Sequence, residues 1–301
     1  MSDLAAAEFD PTGFVDREEE ARRFENLLGL ATHRRILAVS DDSGWGKSTF
    51  LKKLRHQCDY DYLVPVALVP LEEFDDRPDE FELVSDVAGQ LTRADVPFPT
   101  FNELNRLRSF HDSGIFVKSL RGIVNASNAM ISGGQVAGTI FNIEHYDSVG
   151  APPWTDEADR QAKQLCLNAF LAELFEAARD QKIVIIFDNV ELAAVQLRHW
   201  LLKTLVTDRI LAELGAKHKL IIVMAGEKLH PRLASMFKDL ERFEVIPALG
   251  SLRPSDVDRL FEVNGLNTLP PDQLTWLRER IVKREVSLAK ALAIAGILQV
   301  G

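Results

Sequence analysis

Gly44, Gly46, Lys47 and Ser48 lie close together, between an apolar run and a segment with helical periodicity. Glycines allow backbone N–H groups to approach a polyphosphate closely, and a lysine neutralises part of its charge. A hydroxyl at the next position can bind a Mg²⁺ ion that bridges two phosphates, and the helix that follows directs its positive end toward them. The expected ligand is therefore a nucleoside triphosphate with Mg²⁺.

Two elements must position these residues. The apolar residues 36–39 predict a buried strand before the loop, and Phe50, Leu51 and Leu54 predict an amphipathic helix after it. This strand, loop and helix resemble the Walker A motif, GxxxxGK[ST], of P-loop NTPases. The alternative is an ordinary glycine-containing turn between a strand and a helix. The resemblance implies nucleotide contacts from Gly44, Trp45, Gly46, Lys47, Ser48 and Thr49.

The sequence departs from the motif at its first position, where Asp41 replaces a glycine. Aspartate tolerates a left-handed backbone better than most residues. We therefore expect the turn to form at Asp41 with some strain.

A second motif follows at residues 182–191, KIVIIFDNVE, where an apolar run ends in Asp188. In open α/β sheets ligands bind beyond the carboxyl ends of the strands, so Asp188 and Lys47 can face one site. The segment resembles Walker B, which implies that Asp188 and Ser48 hold the Mg²⁺ ion. The alternative is an aspartate that only caps the next helix.

Three further residues bear on turnover. Hydrolysing members of these families carry an acidic residue after the Walker B aspartate, whereas this chain has Asn189. An amide can orient a water molecule but cannot take its proton, so we expect slow or absent hydrolysis. Glu191 is expected to begin a helix and project away from Asp188. Residues 241–247 resemble the segment that carries the arginine finger of AAA+ proteins, which implies a catalytic role for Arg242; the alternative is a solvated arginine.

The N-terminal segment FVDREE at residues 14–19 resembles the "FVGRE" box of STAND and AAA+ NTPases. The resemblance implies that Val15 lies on the adenine side of the nucleotide. The alternative is a plain helix start in which Asp16 and Glu19 form a capping box.

The alternation of apolar runs and amphipathic segments predicts an α/β fold, a P-loop NTPase core with a parallel sheet between helices. We expect this core at residues 1–249, with an insertion at about 97–153 that contains a hairpin at Gly133 and Gly134. Residues 250–301 resemble the small helical lid of the same families. The lid lacks their Gly-x-Pro turn and sensor arginine at 286–291, and Glu227 stands where relatives have a polar or basic sensor.

Composition narrows the class of function. The net charge of −10 and the pI near 5.3 argue against free nucleic acid or an anionic membrane as the partner. Cys58 and Cys166 have no metal-ligand spacing, and we expect both to be reduced core thiols. Neither a signal peptide nor a transmembrane run is recognisable, which predicts a cytoplasmic protein.

Three classes of function remain open. The first is a slow ATP-dependent switch that acts on a partner effector subunit or within a homo-oligomer. The second is a non-hydrolysing ATP-binding scaffold, and the third is an AAA+ loader or remodeller acting on DNA; a small-molecule kinase is less favoured. A protein partner is expected because no effector domain is recognisable after the lid. ATP is favoured over GTP because no guanine-reading motif is evident.

Overall fold

The computed structural model describes residues 17–30, 33–74, 80–109, 156–212, 218–229, 233, 242–266 and 269–300. Val15 and the predicted hairpin at Gly133 and Gly134 lie outside these ranges, as does most of the predicted insertion. In the described residues no helix is long and apolar enough to cross a bilayer.

The centre of the fold is a parallel sheet of five strands, four of which match apolar runs of the sequence. The order in the sheet is β2-β3-β4-β1-β5, so β4 separates β1 from β3. Strands buried on both faces require continuous apolar residues, which explains why the sequence revealed them. The strands are β1 (Ile36–Ser40), β2 (Val66–Pro70), β3 (Ile183–Asp188), β4 (Leu220–Gly226) and β5 (Phe243–Ile246).

The helices follow the predicted alternation. From the N-terminus they are α1 (Glu18–Leu28), α2 (Lys47–His56), α3 (Glu80–Arg93), α4 (Pro99–Ser109), α5 (Asp156–Asp180) and α6 (Val195–His199). Helix α2 continues as a π-helix over Gln57–Tyr62, and α6 does so over Trp200–Leu211. The C-terminal helices are α7 (Pro254–Val263), α8 (Pro271–Val282) and α9 (Leu288–Val300).

The chain divides into two compact units, one of 1–95 with 178–301 and one of 96–177. In the second unit, Phe170 stacks on Phe98 and meets the edge of Phe101, with centroid distances of 5.2 and 5.9 Å. Glu173 accepts hydrogen bonds from the backbone N–H groups of Thr100 and Phe101 at the start of α4. A carboxylate there satisfies otherwise unpaired N–H groups of the helix.

Two apolar clusters lie within the described residues of the first unit. One lies between α1, α2 and the sheet. The other is formed within α7–α9 by residues that include Val257, Phe261, Leu277, Ile281 and Ala291. The predicted α/β P-loop NTPase core with a helical region is confirmed, while the proposed boundary at residue 250 stays a prediction.

Both cysteines are buried and free, as expected of core thiols. Burial raises the pKa of the Cys58 thiol to about 12, and burial likewise raises that of Cys166 to about 12. Thiols of this kind are unreactive at neutral pH.

Candidate phosphate-binding site

The phosphate loop joins β1 to α2 and depends on two glycines. Gly44 and Gly46 have φ angles of 80° and 86°, which other residues rarely adopt. Lys47 begins the helix, and its ammonium group donates to the carbonyl oxygens of Asp41 and Asp42 at 2.9 and 3.0 Å. The loop therefore wraps around a buried lysine, and the start of α2 faces the same space.

The helical lid packs directly on this loop. The Gly44 carbonyl accepts a hydrogen bond from the N–H of Ala289 at 3.3 Å, at the start of α9. A Cβ atom on Gly44 would lie 2.8 Å from the Ser287 hydroxyl oxygen and 3.1 Å from the Ala289 Cβ. Gly44 is thus required both by its backbone angle and by the lid.

Asp41 does not adopt the left-handed backbone that we expected of it. It is not among the described residues with positive φ. Its side chain is only 3% exposed and accepts hydrogen bonds from the N–H groups of Asp42 and Leu249 at 2.8 and 3.0 Å. Asp41 therefore anchors the loop through its carboxylate, and the expectation of backbone strain was wrong.

The Asp41 carboxylate also contacts Arg284, a residue of the lid. The Arg284 guanidinium lies 2.5 Å from the Asp41 carboxylate and 4.3 Å above the centroid of the Trp45 ring, and it also donates to the Leu249 carbonyl. Arg17 adds a hydrogen bond of 3.4 Å to the Trp45 carbonyl. Arg284 of the lid therefore contacts the loop at two positions, Asp41 and Trp45.

The second motif meets the first at the carboxyl edge of the sheet. The Ser48 hydroxyl donates to the Asp188 carboxylate, and the Asn189 N–H donates to the same group at 2.8 Å. Ser48, Asp188 and Asn189 therefore lie together, with Lys47 directly before Ser48, and their roles at a nucleotide stay predictions.

Asp188 is buried, and this burial raises the pKa of its carboxyl. Hydrogen bonds from Ser48 and Asn189 oppose the rise, while the negative charges of Glu72 and Glu191 add to it. An ionised carboxylate in such a place favours a bound cation. Hydroxyl and carboxylate oxygens are ligands that Mg²⁺ prefers when phosphate and water complete its shell. Ser48 and Asp188 thus fit the ion.

Within the described residues, no group of three or more His, Cys, Asp or Glu side chains is arranged to hold a metal ion.

The raised pKa of Asp188 implies that its ionised carboxylate destabilises the folded chain when no ligand is bound. A group whose pKa is higher in the folded state stabilises the fold below its unfolded pKa, and this contribution is lost as pH rises through the folded pKa. At pH 7 without nucleotide, Asp188→Asn should therefore raise Tm by about 2–4 °C, the shift for roughly 1 kcal/mol. The difference in Tm between Asp188→Asn and the wild type should become smaller as the pH falls through the raised pKa of Asp188, because the wild-type carboxyl is then also neutral.

Differential scanning fluorimetry with and without Mg²⁺ and ATP checks this prediction. Added Mg²⁺ and ATP should stabilise only the wild-type chain. A lower Tm for Asp188→Asn at pH 7 without ligands would contradict it.

Glu191 does not project away from the site, contrary to expectation. One carboxylate oxygen of Glu191 lies 2.6 Å from the position of a Cβ atom on Gly226, at the carboxyl end of β4. This oxygen is buried without a hydrogen-bond partner in the described part of the chain. The helix expected at Glu191 begins only at Val195, because Asn189 has a φ of 53° and a turn follows it.

Three predicted site residues either lie away from Ser48 and Asp188 or fall outside the described residues. Arg242 precedes β5 at the amino edge of the sheet, opposite the loop, and donates to the Leu211 carbonyl at 2.6 Å. A role for Arg242 at a nucleotide stays a prediction that requires a second chain. Thr49 is exposed in the first turn of α2, and Val15 is not described.

Sequence reasoning missed two residues of the site. Arg284 belongs to no recognisable motif, and Glu72 stands in a charged stretch that resembles a solvated surface. Glu72 accepts a hydrogen bond of 2.8 Å from the Asn189 amide. The parallel pairing of β2 with β3, which places Pro70 opposite Asp188, brings it there.

Comparisons with known proteins add little. No family model and no curated protein matches the chain. Among solved structures it is similar to Cdc6p from Pyrobaculum aerophilum, with 12% identity and a TM-score of 0.40 over 84% of this chain and 52% of that one. The chain thus spans about half the length of that structure. At this TM-score the likeness carries no functional argument, and the fold is identified by the chain's own strand order.

Proposed function

We propose that this chain binds ATP with Mg²⁺ at the phosphate loop and hydrolyses it slowly, as a nucleotide-dependent switch of the STAND or AAA+ type. One observation carries the proposal: Lys47, Ser48 and Asp188 meet at the carboxyl edge of a parallel sheet, beside two glycines with positive φ. This edge is where open α/β sheets bind their ligands.

Each residue has a defined part. Lys47 exchanges its bonds to the carbonyls of Asp41 and Asp42 for phosphate oxygens, and the N–H groups of the loop and of α2 bind the same anion. Ser48 and Asp188 would hold Mg²⁺, which neutralises charge on the phosphates when bound.

The lid supports the switch in this proposal. It contacts the loop at Gly44 through α9 and at Asp41 and Trp45 through Arg284. A ligand shifts an equilibrium only through different interactions with its two states. Nucleotide at the loop is adjacent to all these lid contacts, so its phosphates can change them.

One observation favours the alternative function, a scaffold that binds ATP without hydrolysing it. Asn189 replaces the acidic residue that would activate water, and its amide is bonded to Glu72. A chain that only binds ATP would share the site described above and lack turnover. Partner proteins or further copies of the chain belong to both readings, since Arg242 faces away from its own site.

Phosphate release distinguishes the two readings. We expect the wild-type chain to turn over ATP well below once per second, at the lower end of enzymatic rates. Asp188→Ala should abolish this activity. The measurement is phosphate release under single-turnover conditions with Mg²⁺, with GTP as the comparison nucleotide.

A rate of several per second would overturn the slow switch. Binding without any release above the Asp188→Ala background would favour the scaffold instead.

A further inference from the structure

We propose that Glu72 is the general base of ATP hydrolysis in this chain, in place of the acidic residue missing at position 189. The inference rests on the proposed function, because it assigns a residue to that reaction. It starts from one contact, in which the Asn189 amide nitrogen donates to the Glu72 carboxylate at 2.8 Å.

The fold places Glu72 at the site from a neighbouring strand. Strand β2 pairs with β3 in parallel, with Pro70 opposite Asp188, and Glu72 follows in a short 3-10 helix, Leu71–Phe74. Besides burial, the negative charge of Glu72 raises the pKa of Asp188, which places the two carboxylates close together. A carboxylate therefore stands beside Asn189 although the chain encodes none in that position.

The contact with Asn189 suits a base. The amide donates to one carboxylate oxygen, which restricts the side chain without neutralising its charge. Glu72 is also exposed, so a proton that it accepts can pass to solvent. An efficient general base must be both held in place and able to lose its proton again.

Glu191 is a further carboxylate near Asp188 and is less suited. Its oxygen Oε2 is buried beside Gly226 and has no hydrogen-bond partner in the described part of the chain. An enclosed oxygen offers neither a place for the attacking water nor a route for the proton. Glu191 therefore serves as the competing residue in the test.

A water molecule loses one proton to the Glu72 carboxylate while its oxygen forms a bond to the γ-phosphorus of ATP. The bond from this phosphorus to the β–γ bridging oxygen breaks, and ADP leaves with the electron pair. Glu72 then releases the proton to solvent, and inorganic phosphate departs.

Glu72→Gln tests the assignment, because glutamine keeps the size of the side chain and an acceptor for Asn189. We expect single-turnover hydrolysis to fall at least about 100-fold, the lower end for loss of a general base. Affinity for a fluorescent ATP analogue should change less than about twofold, which a disrupted site would not allow.

Two further variants complete the design. Glu73→Gln is the matched control, since Glu73 is an exposed neighbour in the same short helix, and its rate should equal the wild-type rate. Glu191→Gln should retain hydrolysis. Wild-type turnover by Glu72→Gln, or loss in Glu191→Gln alone, would overturn the assignment.

The experiments distinguish a failure of the Glu72 assignment from a failure of the proposed function. If wild-type protein binds ATP but releases no phosphate, the base assignment is overturned and the binding site stands. If it binds no ATP, the proposed function itself is overturned.

Discussion

Replacing Lys47 by alanine is expected to remove ATP binding, with a loss in affinity of at least about 100-fold. Charge-assisted hydrogen bonds are each worth roughly 1.5–3 kcal/mol, and Lys47 is the cation around which the loop is folded. The measurement is titration with a fluorescent ATP analogue in the presence of Mg²⁺.

The matched control is Lys52→Ala, because Lys52 is an exposed lysine of the same helix. It removes the same charge from α2 without touching the loop, and its affinity should stay close to the wild-type value. A Lys47→Ala chain that is folded by circular dichroism and binds ATP like the wild type would contradict the assignment of the loop.

The second large effect concerns the lid. Arg284→Ala is expected to lower the free energy of unfolding by about 2–4 kcal/mol, because it leaves the buried Asp41 carboxylate without its cationic partner. The substitution also removes the contact with the Trp45 ring. Urea denaturation monitored by tryptophan fluorescence measures the change.

Asp41→Gly gives the matched comparison, since it restores the glycine of the usual motif and removes the charge that needs Arg284. The double variant should be more stable than the sum of the two single effects predicts, with a coupling of at least about 1 kcal/mol. Arg284→Lys should recover only part of the stability, because lysine cannot bind two acceptors as a planar fork. Additive single effects would show that the two side chains act independently.

The sequence allowed the sheet and the centre of the site to be predicted, because both depend on local patterns. The central strands are continuous apolar runs, and β3 (Ile183–Asp188) shows this most clearly. Lys47, Ser48 and Asp188 could be placed together because the carboxyl ends of parallel strands share an edge.

The contacts of Asp41 could not be predicted in this way. Its partner Arg284 lies 243 residues further along the chain, and no local pattern connects the two. Without that partner, an aspartate at a glycine position suggested backbone strain. The contact with Arg284 of the lid explains why an aspartate can occupy the first glycine position of the motif.

Glu72 was missed and Glu191 was misjudged for a different reason. The direction of each depends on a few backbone angles, such as the φ of 53° at Asn189 that delays the next helix to Val195. Positive φ at a residue other than glycine leaves little trace in a sequence. The proximity of both carboxylates to Asp188 therefore became visible only with the geometry.

Native mass spectrometry of the full chain with ATP and Mg²⁺ tests the central claim most directly, because it counts ligands for each chain and shows the assembly mass. We predict one ATP and one Mg²⁺ per chain in the wild type, and neither in Lys47→Ala at the same concentrations. A wild-type spectrum without bound nucleotide, or equal occupancy in Lys47→Ala, would contradict the account.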